Sequence, residues 1–154
     1  MAAVADAWAA ALTSQPLAVG ADADLVPELT ALLAHHDGPV LLVAPDVPRL
    51  DRALAHAALA DVTSGCVLSF APATDGKPFL MAFSDPRPEA LALLDLEDRS
   101  RENVFARALA LGGDLGMLRS ERRVVTPADA AALALDPLVP PDLRALAARH
   151  LPPS

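Results

Sequence analysis

The sequence predicts an α/β (α+β) fold: a single layered domain over residues 1–154, with a mixed sheet of about five strands built on a central β-hairpin and packed by helices. Three observations predict it. Two apolar runs, Val67 to Ala71 and Phe79 to Phe83, flank Pro72-Ala73-Thr74-Asp75-Gly76-Lys77, and Asp-Gly between apolar runs marks a hairpin because both residues tolerate positive φ. Val40 to Ala44 is a short, continuous apolar run bounded by prolines, as in a strand covered on both faces. Segments with apolar residues at helical spacing alternate with these runs.

The hairpin is the best-defined element. A two-residue turn at Asp75-Gly76 would pair Pro72 with Phe79 at a position that needs an N–H, which proline lacks. The loop is therefore expected to be longer, with firm pairing from Ala71 and Leu80. Strict alternation puts Leu68, Phe70, Phe79, Met81 and Phe83 on one face and Val67, Ser69, Ala71, Leu80 and Ala82 on the other. Neither face is polar, so helices cover both, or one face meets a partner.

The helices follow in order. Residues 1–36 form a helical segment. Ala2 to Leu12 is Ala-rich with Trp8 as its anchor, and Asp24 to His36 carries Leu25, Leu29, Leu32, Leu33 and His36 on one face. Residues 40–135 form the α/β core. Within it Asp46 is expected to cap a helix whose inner face is Leu50, Leu54, Ala57 and Ala58, with Pro48 in its first turn. After the hairpin come a short helix over Glu89 to Leu93, an edge strand at Leu94 to Glu97, and a helix from Ser100 to Leu111 stopped by Gly112-Gly113. Leu115 to Leu118 and Val124-Val125 are further short strands. Thr126-Pro127-Ala128-Asp129 combines an N-cap, a proline at the first helical position and an acid at N3, so a helix runs from there to Leu135. Residues 141–150 form the last helix.

Composition excludes several functions. The net charge of −8 disfavours nucleic-acid binding, although Arg99 to Arg123 holds six Arg against three acids. No apolar run reaches the roughly 18 residues of a membrane span. The N-terminus lacks a basic n-region and carries Asp6, which is unlike a signal peptide. Cys66 is the only cysteine, so no internal disulfide forms, and a place in the cytoplasm is expected. At the head of an apolar strand it reads as a small buried hydrophobe. Eleven of the twelve basic residues are Arg, and Ile and Tyr are absent, a bias typical of a GC-rich genome.

The search for chemistry returns little. His35 and His36 are helix neighbours about 100° apart and cannot readily share an ion, and no third ligand stands at zinc-site spacing. Thr63-Ser64-Gly65 and Asp85 are turn residues, and no nucleophile elbow is present. Gly112-Gly113-Asp114-Leu115-Gly116 lacks the spacing of a dinucleotide loop. No catalytic, cofactor-binding or metal residue is assigned. Arg119, Arg122 and Arg123 form the one candidate surface, for an acidic protein face or a small anion.

From residue 66 to residue 135 the order of features resembles the N-terminal domain of the SseB family. The residues that carry it are Asp75-Gly76-Lys77-Pro78-Phe79-Leu80-Met81-Ala82-Phe83-Ser84-Asp85, then Ala106 to Gly112, Leu115-Gly116-Met117-Leu118 and Val124-Val125-Thr126-Pro127. Where that family has an Asn-Pro-Gly turn, this chain has Arg119-Ser120-Glu121. The resemblance implies a non-enzymatic interaction or regulatory domain with a protein partner, a homodimer being one form of it. The alternative expectation is a small-anion binder or small enzyme using the Arg99 to Arg123 region.

Overall fold

The computed structural model describes residues 25–44, 46–49, 52–95 and 101–149. In chain order the elements are α1 (Leu25–Leu33), β1 (Val40–Val43), α2 (Arg52–Thr63), β2 (Cys66–Pro72), β3 (Pro78–Phe83), α3 (Pro88–Leu91), a 3-10 turn (Ala92–Asp95), α4 (Arg101–Ala110), β4 (Asp114–Met117), α5 (Pro127–Leu135) and α6 (Pro141–Arg149). The expected helix around Trp8, the cap at Ser100 and the C-terminal tail lie outside the described residues.

The four strands form one open sheet in the order β1-β3-β2-β4. β3 is antiparallel to both neighbours, while β2 and β4 are parallel. β1, β2 and β4 therefore run one way and β3 runs against them. Strands that run the same way need long crossovers. α2 makes the crossover between β1 and β2, and the α3–α4 segment makes the one between the hairpin and β4. Among the described residues the sheet has four strands rather than about five, and Leu96 and Glu97 of the expected edge strand lie outside the described residues. Leu94 and Asp95 close a 3-10 turn, and Val124-Val125 lies outside the sheet.

The hairpin obeys the constraint set by Pro72. Ala71 pairs with Leu80, and the register then shifts so that Pro72 faces Pro78. Phe79 is the extra residue on β3. The Ala73 N–H donates to the Lys77 carbonyl at 2.8 Å and the Gly76 N–H to the Ala73 carbonyl at 2.9 Å, which leaves Thr74-Asp75-Gly76 as a three-residue loop. Gly76 has φ +89°, a conformation that favours glycine.

Helices cover both faces. Under α2 lie Ala71, Leu80 and Ala82 with Val47, Leu54, Ala58 and Val62. On the opposite face Leu68, Phe70, Met81 and Phe83 pack with Ala90, Leu93, Val104 and Ala108 from α3, the 3-10 turn and α4. α1 packs behind, against α3 and the 3-10 turn. Two side chains depart from strict alternation. Phe79 joins the α2 face and Val67 joins the α4 face. Each sits at a register shift, between Pro78 and Leu80 or between Cys66 and Leu68. An extra residue at a bulge reverses the alternation locally. Phe70 instead gains Phe105 of α4 as an aromatic neighbour, with ring centroids 6.5 Å apart.

The α2 face holds one buried polar contact. Ser69, fully buried, donates its hydroxyl to Asp61 Oδ2 of α2 at 2.7 Å. Gly116 is the β4 residue beside Ser69, and a Cβ there would lie 2.6 Å from the Ser69 hydroxyl and would also strike the Asp61 carboxylate. Glycine is what lets β4 pass under this pair. Cys66 is half-buried rather than buried, because the first residue of β2 lies at the end of the ladder.

α5 starts as its sequence predicts. Thr126 Oγ1 accepts the Asp129 N–H at 3.2 Å, and Asp129 Oδ2 accepts the Thr126 N–H at 2.9 Å and the Val125 N–H at 3.2 Å. Hydrogen bonds from the Thr126 hydroxyl and from these N–H groups hold the Asp129 carboxyl below its ordinary value. The box stabilises by satisfying helix-end donors.

Thr126→Ala should destabilise the protein by about 1 kcal/mol in urea denaturation. Because the Asp129 value is depressed, the capping contribution should be constant above the ordinary carboxylate range and should shrink as pH falls through the depressed value. Gly116→Ala should cost about 1–3 kcal/mol by the same measurement, and Asp61→Ala in that background should recover part of it by removing the clash.

Candidate functional site

Three strands of one direction deliver their carboxyl ends to one edge of the sheet. Asp46 and Arg49 follow β1, Thr74 and Asp75 follow β2, and Arg119 to Arg123 follow β4. Backbone bonds hold the last of these segments along the edge. Glu121 bridges Ala73, the Thr74 N–H donates to the Glu121 carbonyl at 3.0 Å, and the Val124 N–H donates to the Asp46 carbonyl at 2.8 Å. The chain after β4 thus runs from the end of β2 to the end of β1.

Buried carboxylates anchor this segment. Glu121 is only 4% exposed; it receives Arg119 Nε at 2.8 Å and has Arg49 at 3.6 Å. Arg49 also lies 3.9 Å from Asp136. Asp46 is 8% exposed, and its Oδ2 accepts Arg123 Nε at 2.7 Å and a terminal nitrogen of the same guanidinium. Asp46 therefore does not cap α2, as its sequence position suggests. The helix begins at Arg52, and the carboxylate, buried at the strand end, takes the stronger charged donor. The other oxygen, Asp46 Oδ1, is buried with no hydrogen-bond partner.

The three arginines of the sequence candidate do not meet at one point. Arg119 turns to Glu121, Arg122 lies 3.9 Å from Asp129, and Arg123 reaches Asp46 with Asp75 at 3.9 Å on its other side. Along residues 122–125, Arg122 and Val124 line one side and Arg123 and Val125 the other. Two adjoining clefts result. One, about 140 Å³, is formed by Arg49, Arg122 and Asp136 against Val124, Ala132 and Leu133. The other, about 270 Å³, is formed by Thr74, Asp75, Arg123, Val125, Thr126 and Asp129. The first has an excess of positive charge and an apolar wall. The second is lined by carboxylates, hydroxyls and one guanidinium.

Other sequence candidates lie elsewhere. His35 and His36 are exposed just beyond α1. Among the described residues no three His, Cys, Asp or Glu side chains are grouped to hold a metal ion. Asp85 pairs with Arg87 at 2.8 Å on an exposed turn. Gly113, at φ +101°, lets the chain pass Val67 where a Cβ would lie 2.7 Å from Cγ1. The Cys66 thiol is pushed above its ordinary value by burial, with Asp61 and Asp114 adding to the shift.

Sequence reading missed Asp46 and Arg49 as members of this edge and counted Glu121 only as a loop charge. A signal was present: Asp46 follows a wholly apolar strand, and the carboxyl end of such a strand is where open α/β sheets gather polar groups.

No family model matches the chain, and no curated protein matches it in sequence. Among solved structures, the crystal structure of a protein described as a "putative nucleotide-diphospho-sugar transferase" from Desulfovibrio desulfuricans G20 has a similar fold, with a TM-score of 0.64 and 15% sequence identity over 86% of this chain. This chain spans 60% of the length of that neighbour. Among the described residues no helix is long and apolar enough to cross a membrane.

Removing Arg123 leaves Asp46 buried without its partner, so Arg123→Met should destabilise by about 3 kcal/mol. Arg119 and Arg122 are 53% and 59% exposed in their side chains. The Arg122→Ala change should cost no more than about 1 kcal/mol in the same urea titration. Cys66 should react with iodoacetamide more slowly than a free thiol at the same pH, with the rate still rising above the pH at which a free thiol levels off.

Proposed function

We propose that this chain binds a nucleotide-diphospho-sugar, or a molecule of that chemical class, at the carboxyl edge of its sheet. One observation carries the reading: β1, β2 and β4 end together, and the residues after them line two adjoining clefts of different charge. Ligands of open α/β sheets sit outside the carboxyl ends of the strands. In this reading the diphosphate lies against Arg49 and Arg122, whose planar forks match phosphate oxygens. Asp136, at 3.9 Å from Arg49, is the weak partner that the ligand displaces. Val124, Ala132 and Leu133 supply apolar surface for the nucleoside. The sugar takes the neighbouring cleft, where Thr74, Asp75 and Thr126 offer acceptors and donors for hydroxyl groups. The likeness to the neighbour's fold supports this ligand class, since that protein's description names it.

Titration calorimetry with UDP-glucose, ADP-glucose and GDP-mannose tests the reading. At least one should bind, and Arg49→Ala/Arg122→Ala should weaken it by about tenfold or more. Asp75→Asn should weaken the sugar conjugate more than the free nucleoside diphosphate. Binding by none of the three overturns the proposal. Release of nucleoside diphosphate in the same samples over time reports whether transfer to water accompanies binding.

A second reading, an interaction or regulatory domain, has its own observation. Phe105 and Leu109 of α4 and Met117 of the edge strand β4 are 38%, 54% and 48% exposed. Large apolar side chains at a sheet edge suit a protein partner or a second copy. Sedimentation that stays monomeric at rising concentration counts against the homodimer.

A further inference from the structure

We infer that the α5–α6 hairpin is a movable wall of the ligand clefts, latched to the sheet edge by the two arginines that bind the diphosphate, so that ligand and latch compete. The competition rests on the proposed function; the latch does not.

α5 is the wall that the two clefts share. Ala132, Leu133 and Asp136 line the first with Arg49 and Arg122, and Thr126 and Asp129 line the second with Asp75 and Arg123. The first cleft measures about 140 Å³. Small-molecule sites run to roughly 300–1,000 Å³. A nucleoside diphosphate therefore enters it only if a wall moves. The wall opposite α5 is fixed: Arg49 lies 3.6 Å from buried Glu121, and the Val124 N–H donates to the Asp46 carbonyl at 2.8 Å.

α5 is not fixed in that way. Apart from Pro127 and Asp129 it is all alanine and leucine, yet none of its side chains is buried. It packs chiefly on α6, and Leu135 and Leu138 near the turn between them are exposed. Few buried apolar contacts mark a unit that opens at low cost. Charge ties each end of α5 to the sheet edge: Asp129 lies 3.9 Å from Arg122, and Asp136 lies 3.9 Å from Arg49. Ion pairs this long and this exposed hold weakly.

Asp136 travels with the hairpin, because its Oδ1 accepts the Leu138 N–H at 2.9 Å. Arg49 stays with the sheet edge through Glu121. A diphosphate on Arg49 and Arg122 takes both arginines from the α5 carboxylates and sets like charge against them. α5 then moves outward and the first cleft widens. The latched form excludes the ligand, so the apparent affinity falls with the fraction of chains that are unlatched.

Amide hydrogen exchange of the full chain tests the latch without ligand. Asp136→Asn keeps an acceptor for the Leu138 N–H and removes the charge. Exchange in residues 127–149 should rise about two- to fivefold in this variant, with β2 and β3 unchanged. Equal rates in the two proteins overturn the latch. Titration calorimetry with UDP tests the competition. Asp136→Asn should bind UDP about two- to fivefold more tightly than the unaltered chain, and equal or weaker binding overturns the competition. Loss of a nearby negative charge would by itself tighten binding, so exchange under saturating pyrophosphate decides. Pyrophosphate should speed exchange in residues 127–149 of the unaltered chain, and unchanged or slower exchange overturns the competition. If Asp136→Asn does not fold, raising NaCl from about 0.05 M to about 0.5 M on the unaltered chain takes its place. Exchange in residues 127–149 should then speed up relative to β2 and β3, and a constant ratio overturns the latch. No binding of UDP or pyrophosphate by either protein, with the ligand-free exchange as expected, refutes the proposed function and leaves the latch standing.

Discussion

The antiparallel ladder between β2 and β3 is the constraint on which the rest depends. It places a strand of opposite direction in the middle of the sheet. β1, paired to the far side of β3, must then run with β2, and β4 joins β2 in the same sense. With β1 antiparallel to β3 and β4 parallel to β2, three carboxyl ends share an edge. Polar residues that are far apart in sequence, Asp46, Asp75 and Arg123 among them, meet there because the strands that carry them point the same way.

The edge is held by charge rather than by apolar packing. Asp46 and Glu121 are buried carboxylates, and each is matched by guanidinium groups from the segment that follows β4. Such pairs gain little over an apolar core, because two charges lose their water, but breaking one is costly. Their effect is to fix the path of residues 121–124. That path sets which arginine enters which cleft, and so links the buried ion pairs to the surface that a ligand would meet.

Bulges do comparable work inside the sheet. Pro72 has no N–H to give the ladder, so the register shifts and Phe79 turns to the α2 face. Val67 turns to the α4 face at the other shift. Each face keeps a continuous core, and the polar pair of Ser69 and Asp61 is accommodated only because β4 presents Gly116 beside it.

Local chemistry alone determined much of this protein. The proline in the hairpin announced the start of firm pairing at Ala71 and Leu80, and Thr126-Pro127-Ala128-Asp129 announced α5 and its cap. Both rest on the donors and dihedral limits of a few neighbouring residues. The fold class was likewise legible; apolar runs with no polar side left open whether helices or a partner cover the second face, and helices do. Tertiary structure decided the faces of Phe79 and Val67, because strand alternation is a local rule and a bulge depends on the partner strand. It also decided the candidate site. The adjacent arginines looked like one patch in sequence, yet Arg122 and Arg123 line different clefts, and the carboxylates that receive Arg123 come from residues 46 and 75. Contacts of that separation are fixed only when the strands are paired.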